Sequence, residues 1–211
     1  MSTRHQGKVT LAKAAGGEAF WQQCDLGEDS DLRACVEAVR RRAGPACILV
    51  HSAAVQFMRP FAELTVDDWR LTQRVNQEAV FHFVHAMLPD MRGPAWGRVI
   101  LLSSSTFFID PSNMTHYFTS KRVLMGFAHG LAGEVGQFGV TVNCVAPGLT
   151  RTANANAALP DEFFKSMAAL QAIKRSGTPE DQPGVVSFIA SDDAAFITGQ
   201  TILVDGGQAR T

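Results

Sequence analysis

The sequence predicts a doubly wound α/β domain, a parallel sheet with helices on both faces. Three observations carry that prediction. Short, largely apolar runs at 47–50, 98–102, 140–146 and 201–204 alternate with longer stretches of helical periodicity. Several of these runs are apolar almost residue for residue rather than alternating, the pattern of strands buried on both faces. Small and polar side chains cluster just past their carboxyl ends, where open α/β sheets bind ligands.

The elements follow in order. Gly7-Lys8-Val9 resembles the approach to a strand, but no strand is expected after it. Residues 10–15 read instead as the end of a helix closed by Gly16-Gly17. Residues 19–24 read as a strand ending at Asp25. Ser30 is placed to cap the next helix, which carries Leu32, Val36 and Val39 and ends in Arg40-Arg41-Arg42, basic residues that suit a helix carboxyl end. Residues 47–50 form a buried strand, with His51-Ser52-Ala53-Ala54 at its end. Thr65-x-x-Asp68 is a capping-box variant opening a long helix to Met91, with Val80, Phe83, Val84, Met87, Leu88 and Met91 as its apolar stripe. Asn76 shares that face, and a buried amide needs hydrogen-bond partners, whether it belongs to the core or to a site.

Residues 98–102 form another buried strand, ended by Ser103-Ser104-Ser105. The helix bearing Tyr117 and Lys121 continues through Leu124, Ala128, Leu131 and Val135. A strand at 140–146 ends at Pro147-Gly148. The excursion 150–176, with a helical stretch around Phe163, Phe164, Met167 and Leu170, has the length and position of a lid. Pro179-Glu180-Asp181 begins a helix, and residues 201–204 form the last strand. Gly130, Gly133, Gly136 and Gly139 read as positions of close packing, not as a phosphate loop.

Composition narrows the function. The 211 residues suit one domain spanning 1–211. Hydrophobic residues are 46% and charged residues 18%, the balance of a globular chain. A net charge of -1 gives no electrostatic case for nucleic acid or an anionic membrane. No apolar run approaches the roughly 20 residues of a membrane span, and the first residues lack a signal-peptide core. The four cysteines form no C-x-x-C pair and the six histidines are scattered, so no metal is expected. The cysteines read as reduced and mostly buried, in a cytoplasmic protein.

The chemistry centres on Tyr117 and Lys121. Four residues apart, they share one helix face. A fixed ammonium beside a phenol favours the phenolate and lowers its pKa, giving a group able to give or take a proton near neutrality. A serine hydroxyl at the end of the apolar strand, within Ser103-Ser104-Ser105, can hold the reacting oxygen. The spacing alone is common on helices, and its surroundings give it weight. Phe107, Phe108, Met114, Phe163 and Phe164 are either core or the lining of an apolar substrate pocket.

Taken together these residues resemble the short-chain dehydrogenase/reductase family, with its Rossmann-like fold, over about residues 19–207. Tyr117-x-x-x-Lys121 matches the active-site motif, and Ser104 stands 13 residues before Tyr117, where the family places its serine. Asn76 matches the family's helix asparagine, Asp25-Leu26 the dipeptide against adenine, and Pro147-Gly148-x-x-x-Thr152 the segment holding the nicotinamide carboxamide and phosphates. Residues 199–207 match the final strand. The resemblance implies an NAD- or NADP-dependent oxidoreductase acting on a small-molecule alcohol or ketone. Ser104 binds the carbonyl oxygen, Tyr117 transfers the proton, Lys121 tunes Tyr117 and holds the ribose, and Asn76 anchors a relay water. Ser52, Ala53 and Ala54 would line the cofactor. The two long helices would pair copies into a tetramer or dimer. The stretches 115–117, 151–152 and 190–199 are similar to bacterial reductases of aryl ketones and 3-oxoacyl thioesters.

Two departures stand out. His51-Ser52-Ala53-Ala54 replaces the family's Asn-Asn-Ala-Gly, and Ala54 adds a Cβ where backbone commonly approaches cofactor. The glycine-rich phosphate loop is absent, and with it roughly one β-α-β unit of on the order of 30–40 residues. In the family strand order 3-2-1-4-5-6-7, losing two strands leaves residues 20–24 about 14 Å from residues 48–50, at about 4.8 Å per strand. Either the third strand slides beside the fourth or a longer polypeptide carries the unit. The second is expected, and an intact mass several kilodaltons above 22.8 kDa would support it. The alternative function is a non-catalytic binding or interaction module that retains the active-site residues.

Overall fold

The structure, a computed structural model, describes residues 6–12, 19–105 and 112–209. Within them a parallel sheet runs in the order β3-β4-β5-β6, formed by β3 (Ile48–His51), β4 (Gly97–Leu102), β5 (Val140–Pro147) and β6 (Thr201–Val204). All three pairings are parallel, so each crossover must carry the chain back over a face of the sheet. Side chains alternate between faces along each strand. Val99, Leu101, Val142 and Cys144 point into one core. There they meet Val80, Phe83, Val84 and Met87 of α3 (Ala79–Arg92) and Leu124, Ala128 and Ala132 of α4 (Thr115–Val135). Ile100 and Val145 point the other way, against Ile189 of α7 (Pro183–Ala190) and Ala194. That two-sided burial is the doubly wound architecture.

The capping box at Thr65 forms as expected, opening α2 (Val66–Gln73). The helix then runs without a break through a π-helical segment, Arg74–Glu78, into α3. An i→i+5 turn adds a residue to the helix and is a device found at functional sites. Asn76 lies inside it, fully buried. Close approach, expected at four glycines, occurs at one. A Cβ on Gly139 would meet the Ala95 carbonyl oxygen at 2.1 Å, and its φ of 69° is left-handed, whereas Gly130, Gly133 and Gly136 face open space.

The N-terminal region corrects the sequence reading. Gln6–Ala12 is a strand, β1, paired antiparallel with β2 (Ala19–Asp25), not the end of a helix. Residues 13–18 lie outside the described residues. The reason is local: residues 6–12 give β2 a partner along its whole length, and an unpaired strand leaves a row of backbone groups unsatisfied. The β1–β2 pair is a sheet of its own, and β2 does not slide beside β3. Helix α1 (Asp29–Ala43) joins this pair to the rest, packing on β2 and on α3. Glu28, rather than Ser30, occupies its N-cap. On the α7 face of the sheet, Ile48 and Val50 of β3 are 43% and 44% exposed, while Leu49 and His51 face the helical core. The excursion after β5 contains α5 (Ala153–Ala158), with no buried residue, and the amphipathic α6 (Asp161–Leu170), anchored by the buried Phe164.

Candidate active site

The carboxyl ends of β3, β4 and β5 converge on the first turns of α4. Ser103, Ser104 and Ser105, which come directly after β4, are all buried. The backbone N–H of Ser103 donates to the Val145 carbonyl at 2.7 Å, extending the β4–β5 ladder by one rung and fixing where the serines begin. The Ser103 hydroxyl donates to the Lys121 carbonyl at 2.8 Å, tying β4 to α4. Ser104 hydrogen-bonds to the Tyr117 phenol. Two of the sequence-predicted residues are therefore in direct contact across a strand end and a helix.

Lys121 lies one turn along α4 from Tyr117, on the same buried face. Its Nζ donates to the Leu102 carbonyl at 2.6 Å and lies 5.8 Å from the Tyr117 ring centroid. Burial pushes its ammonium down to about 8, with the Cys144 thiol opposing weakly. The expected effect on tyrosine is reversed here. Burial raises the Tyr117 phenol above its usual value, and the hydrogen bond from Ser104 only partly offsets it. Desolvation wins because the phenol is almost wholly out of water while the ammonium is committed to Leu102. The resting phenol is protonated at neutral pH.

Asn76 is the structural hub. Its Oδ1 accepts from the Val55 N–H at 2.7 Å, and its Nδ2 donates to the Val55 carbonyl at 3.1 Å and to Ser120 Oγ at 2.8 Å. Ser120 in turn donates to the Tyr117 carbonyl at 2.7 Å. One amide thus clamps the loop after β3, the π-helical segment and α4 together. Sequence reasoning missed Ser103, Ser120 and Val55. Ser120 was within reach, three residues beyond Tyr117 on the same face, whereas Val55 acts through its backbone and left no sequence signal.

The residues expected around a cofactor fall at one end of the sheet but not in one cluster. Ser52 and Ala54 are exposed just past β3, with Ala53 half-buried between them. Pro147 and Gly148 end β5, and a Cβ on Gly148 would meet Asp205 Cβ at 2.8 Å, so this turn also needs glycine for its own packing. Thr152 caps α5, accepting from the Ala155 N–H at 3.2 Å. Asp25 accepts from the Gly27 N–H at 2.9 Å, and Leu26 is buried in the helical core. The Asp25–Gly27 turn reaches the site through the Gly27 carbonyl, which accepts from Arg74 at 3.4 Å, two residues from Asn76.

His51 is buried, its ring nitrogens have no hydrogen-bond partner among the described residues, and its ring lies 6.3 Å from Phe83. Burial and the nearby Lys121 charge lower it to about 4, so it is neutral across the physiological range. Of the candidate pocket residues, Phe107 and Phe108 lie outside the described residues. Met114 and Phe164 are buried, and Phe163 is partly exposed. Phe164 serves the excursion's own core, stacked by Arg151 at 4.1 Å. Among the described residues no His, Cys, Asp or Glu group is placed to hold a metal, and no helix is long and apolar enough to cross a membrane.

A family model described as enoyl-(acyl carrier protein) reductase matches residues 1–209. Human dehydrogenase/reductase SDR family member 4 is 35% identical over 213 residues, covering 98% of this chain and 77% of that protein. The chain belongs to the short-chain dehydrogenase/reductase family. Within it, the 3-oxoacyl-acyl-carrier-protein reductase of Pseudomonas aeruginosa is 31% identical over 195 residues, covering 92% of this chain and 78% of that one. Among solved structures, a gluconate 5-dehydrogenase from Burkholderia cenocepacia, in complex with NADP and tartrate, superposes with a TM-score of 0.82 at 27% identity. The match covers 87% of this short-chain dehydrogenase/reductase chain and 72% of that one.

Proposed function

We propose that this member of the family is an NAD(P)-dependent oxidoreductase that interconverts a secondary alcohol and a ketone, with Tyr117 as the proton-transferring group. The observation that carries the reading is the hydrogen bond between Ser104 and the Tyr117 phenol, made at a sheet end with Lys121 buried on the same helix face.

A nicotinamide dinucleotide fits the available residues at its nicotinamide end. Pro147 and Gly148 offer a tight turn at the end of β5, and Ser52 and Ala54 an accessible edge after β3. Asp25 and Leu26 would take the adenine end. When bound, the dinucleotide supplies or accepts the hydride. The chain's own residues do the rest. Ser104 hydrogen-bonds the substrate oxygen, which takes the place of the phenol as its partner. Tyr117, held protonated by burial, donates to that oxygen as a ketone is reduced. Lys121, with its pKa near 8, replaces the proton, and Asn76 keeps the loop after β3 and the tyrosine turn in register. The exposed Phe163 on the amphipathic α6 supports an apolar or aromatic substrate.

Tyr117→Phe keeps the ring and its packing but removes the transferable proton. It should lower reductase activity by roughly 10²- to 10⁴-fold, the usual worth of a positioned general acid. Retention of wild-type turnover would reject Tyr117 as the donor. Fluorescence titration of NADH and NADPH with the protein separates this reading from a non-catalytic binding module, which would leave both signals unchanged.

A further inference from the structure

The loop after β3 grips the start of α4 at alternate residues. Val55, Phe57 and Arg59 are shielded from water, while Gln56, Met58 and Pro60 are exposed. A period of two is the mark of extended chain, so one side of this segment faces inward. Val55 is tied through Asn76 to Ser120 of α4. Arg59 donates its backbone N–H to the Asn113 carbonyl at 2.7 Å, just before α4 begins, where Asn113 is left-handed with a φ of 64°. Between these two ties, the Phe57 ring meets the ring of His116 edge-on, with centroids 4.0 Å apart. His116 is the second residue of α4 and the immediate neighbour of Tyr117.

The proposed mechanism gives His116 no task, yet its place is exacting. It is 1% exposed, and neither ring nitrogen has a hydrogen-bond partner among the described residues. One turn further along the same face, Ser120 donates to the Tyr117 carbonyl at 2.7 Å. The tyrosine is therefore held from both sides, by the seat of His116 before it and by Ser120 through its own carbonyl.

We propose that His116 is a positioning residue for Tyr117, which as a neutral ring seated on Phe57 fixes the turn carrying the phenol and on protonation leaves that seat. A neutral imidazole here leaves one donor and one acceptor unmet. The protonated ring would leave two donors and a full charge in an apolar contact, a far larger cost that is relieved when the ring swings out to water. Residue 117 turns with residue 116, because the two share the first turn of α4. Two charged groups act on the ring from neighbouring elements. They are Asp68 of α2 and Arg59 of the loop, whose guanidinium lies 5.4 Å from the Phe57 ring, and they pair with each other. Burial, the largest effect, holds the imidazole below its ordinary value of about 6.5, with Asp68 opposing and Arg59 adding to the shift. On α4 itself the ionisable neighbours are Tyr117, uncharged in this range, and Lys121. The seat is thus closed at neutral pH and opens in acid.

The chain has a single tyrosine, so one ring signal reports Tyr117 alone. The test is an NMR titration of the full chain with isotope-labelled tyrosine and histidine, run from neutral pH into the acid range. The Tyr117 signal should shift with the same midpoint as the His116 imidazole, below about 6.5. His116→Phe, which fills the seat with a ring that cannot titrate, should abolish that shift. A His116 titration that leaves the Tyr117 signal unmoved, or a shift that survives in His116→Phe, would overturn the proposal. Where the variant fails to fold, comparison of the two wild-type midpoints still decides. The catalytic consequence, a loss of proton transfer in acid, rests on the reading of Tyr117 as the donor. The titration needs no substrate, so unlinked midpoints reject the seat and leave that reading standing. Wild-type turnover in Tyr117→Phe would reject the reading and leave the seat standing.

Discussion

At the scale of single residues, the chain's departures from its family carry physical cost, and His51 shows where. A neutral imidazole offers one donor and one acceptor, and neither has a partner among the described residues. The family's asparagine would bring an amide without a titrating group. The sign of the pH effect comes from the direction of the shift. An unfolded histidine takes up a proton near 6.5, whereas folded His51 does so only near 4. Between those values the unfolded state binds more protons, so folding stability falls as pH drops through that window, by roughly 3 kcal/mol in all. His51→Asn should flatten this slope in urea unfolding followed from pH 7 to pH 4. An unchanged slope would mean that His51 is not the titrating group. Tyr117 belongs to the same scale. Its spacing from Lys121 was legible from the sequence alone, but the direction of its pKa was not. That direction depends on how much water reaches the phenol and on where the ammonium points, and both are products of packing.

At the scale of elements, the long helix spanning α2, the π-helical segment and α3 organises the site. Its start is local chemistry. The Thr65 hydroxyl accepts from the Asp68 N–H at 3.1 Å while Asp68 accepts from the Thr65 N–H at 3.1 Å. Thr65→Ala should therefore cost about 1 kcal/mol of stability, the usual worth of an N-cap, measured by chemical denaturation. A loss near zero would show that the first turn is held by packing instead. The capping box and the apolar stripe are both legible in the sequence, because each depends on residues within a few positions of one another. The π-helical segment is not. Nothing in residues 74–78 demands an extra residue in the turn, and Asn76 settles there by gaining three hydrogen bonds to Val55 and Ser120. The misread strand β1 has the same origin: residues 10–15 have no strong helix or strand signature, and pairing with β2 decides.

At the scale of the whole molecule, the outer faces of α3 and α4 leave Phe81 and Val123 exposed at 54% and 43%. With the two long helices these support the proposal that copies of the chain pair there. Native mass spectrometry at micromolar protein should show a dimer or tetramer, and a monomer across the concentration range would reject it. The N-terminal layer behaves differently from the rest. The parallel sheet is closed over by helices on both faces in its centre, yet Ile48 and Val50 of β3 have apolar side chains in water. The β1–β2 pair is joined to that sheet through α1 and not through backbone pairing with β3. The sequence, with its missing phosphate loop, already marked this region as the place where the family pattern is broken.

What the sequence determined by itself was the alternation of strands and helices, the capping of the long helix and the spacing of Ser104, Tyr117 and Lys121. Each is set by short-range periodicity and by which side chains share a helix face. Only the tertiary structure decided that Asn76 clamps three elements through Val55 and Ser120, and that burial rather than the lysine governs the tyrosine. Those outcomes depend on distances between residues far apart in the chain and on the exclusion of water from them, which no local pattern encodes.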